Sequence, residues 1–213
     1  QDGAPVAFRV EDTVLEVDLA RPILPGGSAV FEMEFESQVP LQTRRSGRDS
    51  REGIDYSMTQ WYPKMAAYDA VGWHADPYIG REFYAPFGTF DVRLTLPADY
   101  VVGATGVLQN PEAVGHGYDQ PPGLGPVAPG PASAADSLTW HFRAEQVHDF
   151  AWAADPDYLH ETLSVTDVPG RTEPVTLHLL YQPDVTENWA QLGARTAELT
   201  RYFSARFGTY PWP

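Results

Sequence analysis

Residues 90–96 read Phe-Asp-Val-Arg-Leu-Thr-Leu, in which apolar and polar side chains alternate at every second position. This period of two is typical of a β-strand that buries one face and leaves the other in water. Residues 29–36 show the clearest alternation, with Phe31, Met33 and Phe35 on one face and glutamates on the other. Further strand-like stretches are 6–10, 14–19, 100–108, 137–144, 162–168 and 175–181. The sequence therefore predicts a mainly β protein.

The period changes once, near the C-terminus, where apolar residues recur at helical spacing. Asp184 or Thr186 can cap a helix there, and Glu187 is placed for a capping box with Asp184. Arg206 and Gly208 are typical of a helix end. The sequence thus predicts one helix at about residues 185–207.

Three long stretches show neither the period of a strand nor that of a helix. Residues 42–55 carry four arginines among Ser, Gly and Asp and are predicted to form an exposed loop. Residues 56–90 are rich in aromatic residues and are predicted to form a long segment without regular secondary structure. Residues 110–137 are rich in Pro, Gly and Ala and predict a long flexible loop.

The charge and the absence of cysteine exclude several classes of protein. The 213 residues include 14 Lys+Arg and 29 Asp+Glu, which gives a net charge of −15 and argues against nucleic-acid binding. Without cysteine there are no disulfides, thiolate zinc sites or cysteine nucleophiles. No apolar run of about 18 residues is present, so we expect no membrane span.

The basic residues are 13 arginines and one lysine, Lys64. An acidic, lysine-poor surface fits adaptation to high salt, and it fits GC-rich codon usage equally well. The chain begins at Gln1 without an apolar leader, so we expect either a processed protein or an excised piece. The sequence does not determine the cellular compartment, although a periplasmic or secreted location fits these features.

Motifs that carry chemistry by themselves are missing from the sequence. His160-Glu161 begins the H-E-x-x-H zinc pattern, but position 164 is Ser164. There is no G-x-S-x-G elbow and no phosphate-binding glycine loop. Residues 155–157, Asp-Pro-Asp, can offer oxygens to calcium or form an ordinary acidic turn. The residues alone therefore give no catalytic site and no metal site.

Several strings, in this order, nevertheless resemble the N-terminal part of zinc aminopeptidases related to aminopeptidase N and leukotriene hydrolase. The resemblance covers most of residues 56–110 and 138–213. The strings are Thr59-Gln60-Trp61-Tyr62-Pro63-Lys64-Met65-Ala66-Ala67-Tyr68-Asp69, Gly72-Trp73-His74, Glu82-Phe83-Tyr84, Gly88-Thr89-Phe90-Asp91-Val92, Val101-Val102-Gly103-Ala104-Thr105-Gly106, His148-Asp149-Phe150-Ala151-Trp152-Ala153-Ala154 and Phe207-Gly208-Thr209-Tyr210-Pro211.

The resemblance implies a domain order and an activity. Residues 1–156 would be part of a saddle-like antiparallel β domain, and residues 157–213 the first strands and helix of a thermolysin-like catalytic domain. The intact enzyme would use zinc to remove N-terminal residues from peptides. The family's zinc motif would follow Pro213, so we expect this chain alone to bind no zinc and cleave no peptide. Its expected partners are peptide substrates and the remaining catalytic and helical domains of the same polypeptide.

The resemblance also implies a substrate contact. In that family the Thr-Gln segment enters the active-site cleft and offers a polar group to the substrate's free amine. Thr59-Gln60 matches the pair, whereas Tyr62 stands where relatives carry Gln or Glu. We predict that Gln60, Tyr62 and Lys64 bind substrate. The alternative is that Gln60 only satisfies backbone groups and the nearby aromatic residues only pack.

A second function from a different class also fits the sequence. A stand-alone β-sandwich module could bind carbohydrate or protein on an aromatic platform made of Trp61, Tyr62, Trp73 and Tyr78. Such a module would not need an amphipathic helix followed by Tyr210-Pro211. That feature favours the aminopeptidase interpretation.

Overall fold

The computed structural model describes residues 1–77, 80, 84–123, 125–127, 130–185 and 189–213. The protein is mainly β, as predicted, and the described residues form several antiparallel sheets and two α-helices. The strands are β1 (Ala7–Glu11), β2 (Val14–Asp18), β3 (Gly47–Arg48), β4 (Tyr56–Met58), β5 (Tyr68–Asp69), β6 (Gly72–Trp73), β7 (Gly88–Pro97), β8 (Val101–Ala104), β9 (Val107–Leu108), β10 (Ser137–Val147), β11 (Trp152–Asp155), β12 (Leu159–Val165) and β13 (Val175–Tyr181). The helices are α1 (Pro111–Val114) and α2 (Leu192–Phe207).

The chain divides into two compact units. The smaller consists of Gln1–Val39 and Tyr62–Phe87, and the larger of Pro40–Trp61 and Gly88–Pro213. The domain boundary expected between residues 156 and 157 stays a prediction. No helix among the described residues has both the length and the apolar character needed to cross a bilayer.

The smaller unit contains two short hairpins. β1 pairs with β2 around a turn at Asp12, whose φ of 55° is in the left-handed region that turns use. β5 pairs with β6 between Tyr68 and Trp73. Most of this unit's large apolar side chains are exposed.

The prediction of a strand at residues 29–36 is wrong. All eight residues are described and none lies in a strand. The backbone groups of Val30 bond to Asp2 instead, because Asp2 N–H donates to the Val30 carbonyl and Val30 N–H donates to Asp2 Oδ1. Phe31, Met33 and Phe35 are exposed. Alternation supplies a face suited to a sheet, but a strand also needs a neighbouring edge, which the sequence pattern does not provide.

The core of the larger unit lies on the sheet β7-β10-β9. β10 pairs with β7 from Ser137 opposite Pro97 to Ala144 opposite Phe90, and burial alternates along β10. Its inward side chains include Trp140 and Phe142, which are almost fully buried. This is the outcome that the alternation at residues 90–96 and 137–144 predicts.

A second sheet has the strand order β3-β4-β11-β8. β11 is paired on both edges, with Trp152 opposite Met58 of β4 and opposite Ala104 of β8. Residues 100–108, predicted as one strand, are divided between the two sheets. The break falls at Gly106, whose φ is 91°.

The C-terminal residues form the hairpin β12–β13 with α2 packed against it. Val165, Val168 and Val175 are buried together, and Ala197 of α2 packs on them. Gly193 lets the helix approach, since a Cβ there would overlap the side chain of Leu163. The outer face of α2 is exposed at several large apolar residues: Leu199, Tyr202, Phe203 and Phe207.

The helix end at Phe207 and Gly208 agrees with the prediction, but the start differs. α2 begins at Leu192, where no side chain caps it, and Asp184 lies in a separate 3₁₀ turn at Pro183–Val185. Thr186 and Glu187, the other predicted capping residues, are outside the described residues.

The segment predicted as a flexible loop, residues 110–137, contains α1 and several buried residues. Val114 and His116 are almost fully buried. His116 N–H donates to the Gly130 carbonyl, and Val127 forms a β-bridge with His160 of β12. Pro and Gly content predicted the absence of regular structure but carried no information about these tertiary contacts.

We expect Gly106→Ala to lower the free energy of unfolding by about 3 kcal/mol, because it combines positive φ with an overlap between the new Cβ and the Arg143 carbonyl. Gly53→Ala is the matched control. Its φ is 87°, but no atom lies within 4 Å of the Cβ position, so only the backbone strain of about 1 kcal/mol applies. Urea unfolding of both variants measures the difference. Equal losses would show that the contact with Arg143 contributes nothing.

Candidate functional site

The candidate site begins where the chain leaves β4. Thr59, Gln60 and Trp61 follow Met58, whose partner in β11 is Trp152. Gln60 has a φ of 54°, a left-handed conformation that is uncommon for a residue with a Cβ. It lies two residues after the end of β4 at Met58. Such outliers are enriched at functional sites, and here it falls on the predicted substrate residue.

Two hydrogen bonds connect this turn to the residues just before β11. Gln60 Nε2 donates to Asp149 Oδ2 at 2.7 Å, and Trp61 Nε1 donates to the Phe150 carbonyl at 3.0 Å. The other carboxylate oxygen of Asp149 accepts the Phe150 N–H at 2.8 Å. Two segments about ninety residues apart in sequence are therefore joined by side chains as well as by the β4–β11 ladder.

The Gln60–Asp149 hydrogen bond determines the orientation of the Gln60 amide. A carboxylate accepts and cannot donate, so the nitrogen of the amide must face Asp149. Its carbonyl oxygen Oε1 is then the group left to accept a hydrogen bond from another molecule. Gln60 is exposed, so a ligand can reach this oxygen.

Ser46 holds the backbone of Thr59. The Ser46 hydroxyl donates to the Thr59 carbonyl at 2.9 Å and accepts the Thr59 N–H at 3.3 Å. The backbone on the N-terminal side of Gln60 is therefore already satisfied by Ser46. The Gln60 side chain itself bonds to a carboxylate rather than to the backbone groups that the alternative interpretation required.

Tyr62 and Lys64, the other predicted substrate residues, belong to the smaller unit, whereas Gln60 belongs to the larger one. Each of the two is half-buried. A cleft shared by all three residues stays a prediction.

A cavity of about 560 Å³ lies in the larger unit next to Thr59. Its wall includes Ser57 of β4, Ala153 of β11 and Gly103 of β8. On the β13 side, Leu180 comes so close to the sheet that a Cβ at Gly103 would lie 3.0 Å from its Cδ1. Other lining side chains are Thr105, Tyr118, Phe142, Tyr158 and His178. The wall is mixed in character, with aromatic rings, two hydroxyl groups of threonine and one imidazole.

The acidic turn at residues 155–157 has a structural role. Asp155 is almost fully buried, and its Oδ2 accepts the Asp55 N–H at 2.9 Å while its Oδ1 accepts the Asp157 N–H at 2.8 Å. Asp55 Oδ2 in turn accepts the hydroxyl of Tyr100 at 2.6 Å, which raises the pKa of that phenol well above its usual value. Asp155 therefore joins β11 to the segment before β4. Its oxygens accept backbone N–H groups, as the ordinary-turn interpretation expects.

Sequence reasoning missed three histidines that the fold assembles. His116, His160 and His178 are 44 and 18 residues apart in sequence, yet hydrogen bonds connect them. No sequence spacing identifies such a cluster, because each histidine comes from a different element. Among the described residues there is no group of three His, Cys, Asp or Glu arranged to hold a metal ion.

No family model, curated protein or solved structure matches this chain.

We expect Trp61→Phe to lower the free energy of unfolding by about 1 kcal/mol, because it removes the hydrogen bond from Nε1 to the Phe150 carbonyl while keeping an aromatic ring. Trp73→Phe is the control, because Trp73 is 62% exposed and its loss of an indole nitrogen should cost little. Chemical denaturation followed by circular dichroism measures both. If the two variants are equally stable, the Trp61 bond does not help to hold the turn on β11.

Proposed function

We propose that this chain is the substrate-facing β portion of a zinc metallo-aminopeptidase, an enzyme that removes N-terminal residues from peptides. The proposal starts from the resemblance of the sequence strings described above. It includes the finer fold assignment, a saddle-like β domain followed by the beginning of a thermolysin-like domain. Zinc and the remaining domains would come from the rest of the polypeptide.

One observation carries the proposal: parts of three strings that resemble the family lie side by side in the larger unit. Residues 59–61 follow β4, residues 101–104 form β8 and residues 152–154 belong to β11, and these three strands are neighbours in one sheet. Thr59, Thr105 and Ala151 line the same cavity. Strings that resembled a family only by chance would have no reason to meet. Their convergence supports a common structural origin for the resemblance.

The chemistry at Gln60 suits a substrate with a free N-terminus. Its Oε1 accepts hydrogen bonds, and an α-ammonium group carries three donors. Asp149, which holds the amide, adds a negative charge nearby that attracts the same ammonium. The preorganised turn lowers the entropic cost of placing this oxygen. Gln60 would therefore position the amino terminus, which fixes the register of an exopeptidase.

The metal is assigned to the intact enzyme and not to these residues. Bound zinc polarises a scissile carbonyl and lowers the pKa of its water. The part of the chain that the structure describes offers no set of three ligands, so no zinc ligand is assigned here.

In the complete polypeptide from the same reading frame, we expect Gln60→Ala to raise KM for leucyl p-nitroanilide about tenfold with little change in kcat. The reason is that a hydrogen bond to a charged group is lost equally from the bound substrate and the transition state. Gln120→Ala is the control, because this exposed side chain bonds only its neighbour Asp119 among the contacts described.

The same assay tests the function and the residue separately. An unchanged KM in the Gln60 variant would remove Gln60 from the site. Absence of chelator-sensitive hydrolysis by the complete polypeptide would overturn the aminopeptidase proposal itself. Chelator-sensitive hydrolysis by residues 1–213 alone would overturn the assignment of zinc to another part of the enzyme.

A separate observation favours the binding-module alternative. Tyr68 and Trp73 are 68% and 62% exposed, and their ring centroids are 5.0 Å apart on the β5–β6 hairpin. Exposed aromatic pairs can stack on sugar rings or hold protein ligands. Of the platform predicted from sequence, Trp61 is half-buried and bonded to Phe150, and Tyr78 is outside the described residues. Loss of oligosaccharide binding in Trp73→Ala, measured by intrinsic fluorescence, would support this second function.

A further inference from the structure

The floor of the 560 Å³ cavity contains a row of small residues that crosses three strands. Ser57 of β4 is opposite Ala153 of β11, and Ala153 is opposite Gly103 of β8. Residues that are directly opposite in antiparallel strands project to the same side of the sheet. Leu180 of β13 lies on this side, because its Cδ1 is 3.0 Å from the Cβ position of Gly103. The small row therefore leaves space between the sheet and the hairpin β12–β13, and its volume falls within the range of about 300–1,000 Å³ that small-molecule sites occupy.

The wall of the cavity contains a buried hydroxyl group without a partner. Tyr158, the residue before β12, lines the cavity and is only 7% exposed. Its hydroxyl has no hydrogen-bond partner among the residues that the structure describes. Burial and the nearby Asp155 carboxylate raise the pKa of Tyr158 to about 12, so the phenol keeps its proton at neutral pH. Because buried polar groups are normally hydrogen-bonded, this hydroxyl points to a partner that enters the cavity.

Three other hydroxyl groups in the wall have already committed their protons. Ser57 Oγ donates to the Arg45 carbonyl at 2.9 Å, and the Tyr118 hydroxyl donates to the Val102 carbonyl at 2.9 Å. Thr105 Oγ1 donates to a backbone carbonyl at 3.3 Å. A carbonyl only accepts, so each of these oxygens has lone pairs left but no proton to offer.

His178 adds a further acceptor to the wall. His160 Nδ1 lies 3.1 Å from the His116 carbonyl and donates to it, so Nε2 of the neutral His160 ring accepts. His178 Nδ1, 2.9 Å away, donates to that nitrogen, which leaves a lone pair on Nε2 of the neutral His178 ring. His178 is exposed and lines the cavity, so a ligand from solvent can reach this lone pair.

The wall has no group that would balance a charged ligand. None of the described residues that line the cavity is Asp, Glu, Lys or Arg. Asp155, which is close to Tyr158, uses both carboxylate oxygens to accept backbone N–H groups. A charged ligand would therefore lose hydration without gaining a counter-charge. A ligand that only accepts, such as an anion, would also face a wall made mostly of acceptors.

We propose that this cavity binds an uncharged polyol of monosaccharide size, whose hydroxyl groups donate to Ser57, Tyr118 and His178 and accept from Tyr158. A polyol matches the wall because neighbouring hydroxyl groups on one ring supply several donors close together and also accept. The site lies within the larger unit, whereas the exposed aromatic pair of the β5–β6 hairpin belongs to the smaller one. The proposal does not depend on the proposed peptidase function.

An NMR titration of the intact 213-residue chain at about pH 7.5, where histidine is neutral, tests the site. The probes are methyl glucoside, methyl galactoside, methyl mannoside and myo-inositol. At least one of them should shift the backbone amide signals of Gly103 and Ala153, with a Kd of about 1 mM or tighter. The absence of such shifts with all four polyols would overturn the proposal. Shifts confined to the β5–β6 hairpin would overturn it as well, because they would assign the binding to the exposed aromatic pair.

Two matched probes test the chemistry of the ligand. The ring 2-(hydroxymethyl)tetrahydropyran has a single hydroxyl group and is smaller than the sugars, so size cannot exclude it. It should bind at least about tenfold more weakly than the best polyol, because most of the donors are missing. The monophosphate of that polyol should also bind at least about tenfold more weakly, because its charge is not balanced. Equal or tighter binding of either probe at Gly103 and Ala153 would contradict an uncharged, donor-rich ligand.

One variant with a matched control tests the unpaired hydroxyl. Tyr158→Phe removes only a group that has no partner among the described residues, so the free energy of unfolding should not fall, while the affinity for the polyol should fall about tenfold. Tyr181→Phe is the control, because the Tyr181 hydroxyl donates to Glu161 on the other face of the hairpin, and the affinity should stay unchanged. Equal affinity of Tyr158→Phe and the unaltered protein would contradict the site.

Discussion

The pairing of β11 on both of its edges is the constraint on which the candidate site depends. Trp152 is opposite Met58 on one side and Ala104 on the other, so one short strand sets the register of β4 and β8 together. A shift of one residue would send every side chain of β11 to the opposite face. The turn at Gln60 would then lose its bonds to Asp149 and Phe150, and Gly103 would no longer be opposite Ala153.

The register is reinforced by hydrogen bonds between polar groups that lie far apart in the sequence. Asp155 at the end of β11 accepts two backbone N–H groups, one of them from Asp55 ahead of β4. Asp149 at the other end bonds to Gln60 and to the Phe150 N–H. Hydrogen bonds contribute only about 1 kcal/mol each in net stability, but breaking one inside a protein leaves an unsatisfied group that costs more. Such groups therefore select one arrangement among several that would bury similar apolar area.

The larger unit combines apolar packing with buried polar contacts. The β7–β10 ladder is built on apolar contacts around Trp140 and Phe142. Beside it, Val127 and His160 exchange two backbone hydrogen bonds, and the His116 carbonyl accepts a hydrogen bond from His160 Nδ1. Apolar contacts have no direction, whereas these hydrogen bonds determine which groups face each other.

The sequence by itself determined the strands with alternating character, such as β7 and β10, and the end of α2 at Gly208, because these depend on local period and local backbone preference. It also singled out Gln60 through the family resemblance. It gave the wrong result at residues 29–36, and it could not show that Asp149 orients Gln60 or that three histidines meet. Only the tertiary structure decided these, because strand pairing, amide orientation and imidazole tautomers depend on partners that lie tens of residues away in the chain.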